Sequence, residues 1–313
     1  MSHLIYRKLR DTWKKMIVVP GPASKDLGVK VARELGVEAY PVEHRVFPDG
    51  ESYMRLTGSV EGEAVAIIQT TAPDQDRRLM QLFMMVSTAK EFGAERVICV
   101  VPYLAYSRQD KRFLEGEAFS LDMIMKILDE LGADDLVVVD AHSEPSTRAI
   151  EARHGVRVHN VSAMPLLAGY LKENGFDGAY SLSPDKGAIR LAEVAGGVLG
   201  GGSGYFEKER DRRTGEIRMK VKDLDIAGRD AVVFDDIVSS GGTTSRAIAG
   251  LRVQGAEKVA AACTHALFME GAEGKIVDAG ADLILISDTV QYGGKVSKIS
   301  VAPLIAKTLT TMA

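Results

Sequence analysis

The stretch VVFDDIVSSGGTTSRAI, from Val232 to Ile248, constrains this chain more than any other. An apolar strand runs into two adjacent acids, Asp235 and Asp236. A turn of small residues follows from Ser239 to Thr243, and a helix pattern begins. Glycines let a backbone bend sharply and approach a ligand closely. The amides of such a turn, at a helix N-terminus, form a cradle for phosphate. The acids need a different partner. A carboxylate about 4 Å from a phosphate charge is repelled by roughly 4 kcal/mol at an effective dielectric of about 20. Acids beside a phosphate cradle therefore call for hydroxyl donors or a metal cation. A sugar phosphate with free vicinal hydroxyls satisfies both halves of the loop. The alternative is a plain glycine-rich turn between strand and helix.

The chain has 313 residues, enough for two domains of ordinary size that each bury a core. Lys and Arg number 39 against 43 Asp and Glu, a formal charge of −4, and this balance gives no reason to expect a nucleic-acid partner. An acidic chain that takes anionic ligands must focus positive charge locally. The two cysteines, Cys99 and Cys263, sit inside apolar runs and read as buried fillers. The absence of a cysteine framework suits a reducing cytoplasm. The basic segment before Met16 has no long apolar core, so it does not read as a signal peptide, and no run approaches the ~20 residues of a membrane span.

Short β-rich runs alternate with amphipathic helical stretches. MIVVP, AVAIIQT, RVICVVPY, LVVVDAH, AYSLSPD, AVVFDD, KVAAACTHA and LILISD read as strands. SKDLGVKVAREL, RRLMQLFMMVSTAKEFG, SLDMIMKILDELG and TTSRAIAGLRVQG read as helices, several closing on glycine. Continuous apolar strands between helices predict an α/β protein with mostly parallel sheets covered on both faces. The halves echo each other, EFGAERVICVVPY against VQGAEKVAAACTH, which fits either duplication or a recurring αβ connection. The expected division is 1–160, 161–298, and a C-terminal helix at 299–313 that packs back on the first domain.

Six segments in order carry a resemblance along essentially the whole chain. They are Phe47–Glu51 (FPDGE), Pro102–Phe113 (PYLAYSRQDKRF), Asp140–Ser143 (DAHS), Ser183–Arg190 (SPDKGAIR), Glu207–Arg210 (EKER) and the Val232–Ile248 loop. The chain resembles the ribose-phosphate pyrophosphokinase family, whose members carry two tandem phosphoribosyltransferase-like domains. The resemblance implies a Mg²⁺-dependent diphosphokinase of nucleotide biosynthesis that joins ATP to ribose 5-phosphate. It also implies a cytoplasmic homo-oligomer with its active site at a subunit contact.

The roles implied by that resemblance make chemical sense residue by residue. Asp235 and Asp236 would meet the ribose hydroxyls, while Ser239, Ser240, Gly241, Gly242 and Thr243 would hold the 5-phosphate. Phe47 would stack on adenine, with Asp49 and Glu51 accepting from its amine. Taken alone, that segment reads as a solvated turn. Arg108 and Gln109 would contact ATP, with help from Lys111 and Arg112. His142 and Asp185 each follow an apolar strand at its carboxyl end, where open α/β sheets place ligands. The resemblance assigns His142 to Mg²⁺ or its water shell and Asp185 to the metal or the sugar, although a lone histidine there is more often structural. Asp140 would orient His142. Lys208 and Arg210, two apart in a charged arm, would stabilise the transition state.

Two departures stand out. Ser239 and Ser240 occupy positions where many family members carry Asp–Thr, so phosphate binding is expected to survive with an altered site charge. The segment before Met16 has no family counterpart. Two rivals are weighed against this expectation. A phosphoribosyltransferase would share the loop but use a base and release diphosphate. A non-catalytic regulatory relative would lack some of the catalytic positions named above, all of which are present.

Overall fold

The computed structural model describes residues 16–112, 114–210, 217–221 and 226–312, without the side chains at 144–145, 208–210 and 217–221. The N-terminal segment before Met16 therefore lies outside the described residues. Two compact units form. One holds the described residues up to Val161 together with those from Val301 on, and the other is Ser162–Ser300.

The first unit runs β1 (Met16–Pro20), α1 (Lys25–Leu35), β2 (Val42–Val46), β3 (Ser52–Leu56), β4 (Ala64–Ile68), α2 (Gln75–Glu91), β5 (Arg96–Val101), α3 (Ser120–Glu130), β6 (Asp135–Val139), α4 (Glu144–Glu151) and β7 (Arg157–Val161). Its main sheet is wholly parallel, in the order β1-β4-β5-β6-β7. After α1 the chain touches β1 through one bridge, Val18 to Ala39. It then makes the antiparallel hairpin β2-β3 and enters β4. Winding in two directions from β1, with right-handed crossovers, puts α1 on one face and α2, α3 and α4 on the other. The core follows that division. Val19, Ile67, Cys99 and Val138 meet Leu82, Met85 and Val86 of α2 and Ile124 and Leu128 of α3 in one cluster. The alternate residues Val18, Ile68, Ile98 and Val137 are equally buried on the opposite face. Burial on both faces is why these strands are apolar at every position.

The second unit runs α5 (Met164–Leu171), β8 (Tyr180–Ser183), α6 (Ile189–Leu199), β9 (Ser203–Arg210), β10 (Ile217–Val221), β11 (Ala231–Val238), α7 (Gly242–Val253), β12 (Val259–Ala266), α8 (Ala272–Asp278), β13 (Leu283–Ser287) and β14 (Ser297–Ile299). The strand order is β10-β9-β8-β11-β12-β13-β14, and its one antiparallel pair is β9-β10. The chain leaves β8 through α6 to β9 on one side, then crosses to β11 on the other. The winding direction reverses between β8 and β11, and ligands of open α/β sheets bind outside the strand ends at such a reversal. Both units thus share one plan, with a hairpin inserted at the same point of the winding. The expected fold class is what the structure contains.

The last helix, α9 (Ala302–Met312), belongs to the first unit. It packs along α1 and reaches β7, on the face that α2, α3 and α4 leave uncovered. Ile305 and Leu309 are fully buried there. Arg96 Nη1 donates to the Met312 carbonyl at 2.7 Å, which satisfies a helix-terminal acceptor. The same guanidinium pairs with Asp135 at 2.7 Å, and Arg157 and His159 each reach that carboxylate at 3.0 Å. Burial alone would raise the Asp135 pKa, but the hydrogen bonds from His159, Arg96 and Arg157 outweigh it and hold the group below its ordinary value. Both cysteines are buried, and burial pushes the Cys99 thiol up to about 12. Among the described residues no helix is long and apolar enough to cross a membrane.

Two outcomes are expected. Leu309→Ala should lower stability to urea by about 2–5 kcal/mol, as buried leucine truncations do, whereas Thr311→Ala on the exposed side of α9 should change it by less than about 0.5 kcal/mol. Asp135 contributes stability that is present above the ordinary carboxylate pKa of about 3.9 and lost as pH falls through its lowered folded value. The stability gap between the native chain and Asp135→Asn should therefore be flat near neutrality and narrow below about pH 4. A gap that widens on acidification would overturn that sign.

Candidate active site

The reversal between β8 and β11 gathers the acids of the second unit. Asp235 and Asp236 lie near the end of β11, and Asp185 lies two residues past β8. Each β11 acid is oriented by the next backbone amide. Asp236 N donates to Asp235 Oδ1 at 3.0 Å, and Ile237 N donates to Asp236 Oδ1 at 2.9 Å. Asp185 Oδ1 accepts from Gly187 N at 2.9 Å and so opens a short helical turn. Desolvation at the strand end, then the neighbouring charge and hydrogen bond of Asp236, then the charge of Asp185, push the Asp235 carboxyl well above the carboxylate range. Neighbouring carboxylates of this kind suit a cation or hydroxyl donors.

The turn after β11 is braced from behind. The Val238 carbonyl accepts from Leu267 and Phe268 amides at 3.0 and 3.2 Å, and the Ser239 carbonyl accepts from Met269 N at 2.9 Å. Gly241 has φ +72°, and a β-carbon there would stand 2.9 Å from the Ala272 carbonyl, so only glycine fits. Gly241 is also the N-cap of α7, where no side chain caps the helix. The amides of its first turn are thus left for an anion. Ser239, Gly242 and Thr243 are half-buried, Gly241 is buried and Ser240 is exposed.

In the first unit, Phe47–Glu51 forms the turn of the β2-β3 hairpin. Phe47 N donates to the Glu51 carbonyl at 2.8 Å, and Glu51 N donates to Asp49 Oδ1 at 3.2 Å. Asp49 therefore also fixes the turn, and Glu51 is exposed. The Arg45 guanidinium lies 4.9 Å from the Phe47 ring centre and 4.7 Å from that of Tyr53, its cross-strand neighbour. Sequence reasoning missed this stack. Its signal was the R-x-F spacing, which puts positions 45 and 47 on one side of a strand.

Arg108 and Gln109 line a cleft of about 630 Å³ together with Arg77, Asp76 and Tyr106. Arg108 is exposed, and no carboxylate or other partner engages it among the described residues. Gln109 is fixed, its Oε1 accepting from Ser120 Oγ at 2.7 Å. Burial would raise the neighbouring Asp110 pKa, but hydrogen bonds from Ser146 and Ser143 hold it below its ordinary value. Lys111 and Arg112 line a second, smaller cleft instead. His142 is exposed in the loop after β6, beyond a buried Asp140 whose φ of +40° turns the chain. Lys208 and Arg210 lie in β9, opposite Met219 and Ile217 of β10, and their side chains lie outside the described residues. The structure thus brings Asp185, Asp235, Asp236 and the anion loop together, and places the Phe47 turn, Arg108, Gln109 and His142 in the other unit.

A doubly wound α/β unit with paired acids and an uncapped anion loop at its strand reversal defines a phosphoribosyltransferase-type protein, and the relatives narrow the class. Residues 16–132 match the model of the N-terminal domain of ribose phosphate pyrophosphokinase, and residues 182–291 match that of the phosphoribosyl transferase domain. The chain is 39% identical over 290 residues to a ribose-phosphate pyrophosphokinase of Methanothermobacter thermautotrophicus, covering 93% of this chain and 98% of the relative. It is 35% identical over 294 residues to one from Sulfurisphaera tokodaii, covering 93% and 99%. The crystal structure of phosphoribosylpyrophosphate synthetase from Mycobacterium smegmatis superposes with a TM-score of 0.84 at 28% identity, covering 95% of this chain and 98% of that one. The chain belongs to the ribose-phosphate pyrophosphokinase family and is an enzyme of that kind, a transferase of nucleotide biosynthesis.

The raised Asp235 pKa gives this site a stability signature. Above its folded pKa, Asp235 is a charged acid among acids and destabilises the ligand-free protein. As pH falls below that value the penalty shrinks, and it is gone only below the ordinary carboxylate pKa of about 3.9, where the unfolded chain is protonated too. Asp235→Asn should therefore stabilise the ligand-free protein by about 0.5–2 kcal/mol at alkaline pH, while removing most activity. The gain should fade as pH falls. A substitution that destabilises at every pH would overturn the account.

Proposed function

We propose that this enzyme transfers the β,γ-diphosphoryl group of ATP to O1 of ribose 5-phosphate, giving phosphoribosyl pyrophosphate and AMP. The observation that carries this reading is the β11 loop, where paired acids adjoin an uncapped helix N-terminus. That arrangement suits a pentose phosphate, hydroxyls on the acids and phosphate on the amides. In the reaction O1 forms a bond to the β-phosphorus, the bond from that phosphorus to the α,β-bridging oxygen breaks, and AMP departs with that oxygen while O1 loses its proton. Reactions of this type leave the protein alignment and charge neutralisation, and alignment alone can be worth roughly 7–11 kcal/mol.

Asp235 and Asp236 would orient the ribose hydroxyls. Ser239, Ser240, Gly241, Gly242 and Thr243 would hold the 5-phosphate. On the nucleotide side, Phe47 would stack on the adenine while Asp49 and Glu51 accept from its amine. Arg108, exposed in its cleft and unpaired among the described residues, would grip phosphate oxygens bidentately, with Gln109 held ready beside it. Lys208 and Arg210 would neutralise charge that develops on the transferring group.

The donor chemistry fits Mg²⁺. Oxygen ligands suit that ion, and the excess negative charge recorded in the Asp235 pKa is what a cation relieves. Among the described residues no three acidic, histidine or cysteine groups converge into a complete metal cage. Asp185 and His142 would hold Mg²⁺ in part, with water and phosphate oxygens completing its shell. Bound there, the ion would neutralise phosphate charge and polarise the β-phosphorus.

The exposed β2-β3 turn, with its Arg45-Phe47-Tyr53 stack, offers a surface suited to a base presented by a second copy of the chain. The working enzyme on this reading is a cytoplasmic homo-oligomer without nucleic-acid or membrane partners. A phosphoribosyltransferase would form diphosphate from phosphoribosyl pyrophosphate and a base. AMP release from ATP and ribose 5-phosphate alone, lost on chelation of Mg²⁺, would separate the two. On this reading Lys208→Ala should reduce kcat by about 10²–10³-fold with much smaller changes in either KM. Equal effects on kcat and KM would count against a transition-state role.

A further inference from the structure

We propose that Arg246 is a further ligand of the sugar 5-phosphate and supplies the side-chain counter-charge that the loop amides lack. The inference rests on the ribose-5-phosphate reading of the β11 loop. Arg246 stands four residues after Gly242, one turn into α7, so its side chain leans back over the helix start. A β-carbon built on Gly242 would stand 3.5 Å from Arg246 Nη1 and 3.7 Å from Ser240 Oγ. The guanidinium and the hydroxyl therefore converge on the open space beside Gly242, next to the uncapped amides of Gly242 and Thr243. Arg246 is exposed, and among the described residues it makes no ion pair or hydrogen bond. Three carboxylates stand at the same strand reversal, yet this cation pairs with none of them. Lys275 plays a different part. Its Nζ donates to the Ser240 carbonyl at 3.4 Å and holds the loop backbone from the far side.

The arrangement divides recognition between two kinds of group. Amides and hydroxyls read the shape of a phosphate, and a guanidinium reads its charge in a fork that matches two oxygens. Arg246 thereby discriminates a phosphorylated pentose from the free sugar, and it acts on the sugar phosphate without touching the nucleotide. Lysine at this position would keep the charge but lose the fork.

Calorimetric titration of the full-length protein with ribose 5-phosphate, and steady-state kinetics with ATP, test this together. Arg246→Ala should weaken ribose 5-phosphate binding and raise its KM by about tenfold or more, leaving the KM for ATP within about twofold. Arg246→Lys should recover part of the loss. Unchanged ribose 5-phosphate affinity in Arg246→Ala would overturn the proposal, and AMP formation by that variant would show that the reaction assignment survives without it. Affinity lost in Arg246→Ala, with a native chain that binds ribose 5-phosphate but forms no AMP, would support Arg246 and sink the reaction assignment instead. A native chain that binds no ribose 5-phosphate would overturn both.

Discussion

Negative charge crowded at one strand reversal is the constraint from which the second unit is organised. Asp185, Asp235 and Asp236 lie where β8 and β11 part, and burial together with the neighbouring acids pushes the Asp235 carboxyl well above the usual carboxylate range. An apolar strand end is a poor place for three carboxylates unless a ligand brings compensating donors or charge. The uncapped amides at the start of α7 lie only a few residues further along the same chain. A ligand that satisfies both must be anionic at one end and hydroxylated at the other.

Rigidity is the second requirement, and the fold supplies it from the side away from the ligand. The loop carbonyls of Val238 and Ser239 are tied to the backbone of Leu267, Phe268 and Met269. Phe268 in turn packs edge-on to Tyr292, whose hydroxyl donates to Glu273 at 2.5 Å. At the end of β12, His265 is buried and its Nδ1 lies 2.9 Å from Thr289 Oγ1. These contacts fix the segment that fixes the loop. Preorganised donors hold their positions without reorganising when charge arrives, which is what makes such a site effective.

The strands were legible in the sequence because both faces of each sheet are buried. MIVVP, AVAIIQT and LVVVD read as continuous apolar runs for that reason, and the anion loop was legible because acids beside glycines at a helix start have few other uses. Other features depend on pairings that lie far apart in the chain. The Arg45 stack requires the register that sets Arg45 opposite Tyr53, and nothing local in VEHRV fixes that register. The role of Asp135 comes from Arg96 and Arg157 and, through Arg96, from the last helix. Roles drawn from resemblance, such as those of His142, Lys208 and Arg210, rest on matched positions, and geometry adds least to them.

Helices α5 and α9 show why amphipathicity alone does not reveal what a helix covers. α5 directly follows β7 of the first unit in the chain, yet it belongs to the second unit, packing on α6 and on β12, β13 and β14. α9 follows β14 of the second unit, yet it belongs to the first. Each sheet has one face covered by its own crossover helices and another that its winding leaves short by one helix. Each vacancy is filled by the helix that follows the other unit's last strand. The second unit is one continuous stretch that begins with α5, whereas the first is completed only by a segment that lies beyond the second. A chain cut between Val161 and Ser162 would part the first unit from α9 and leave one face of its sheet exposed.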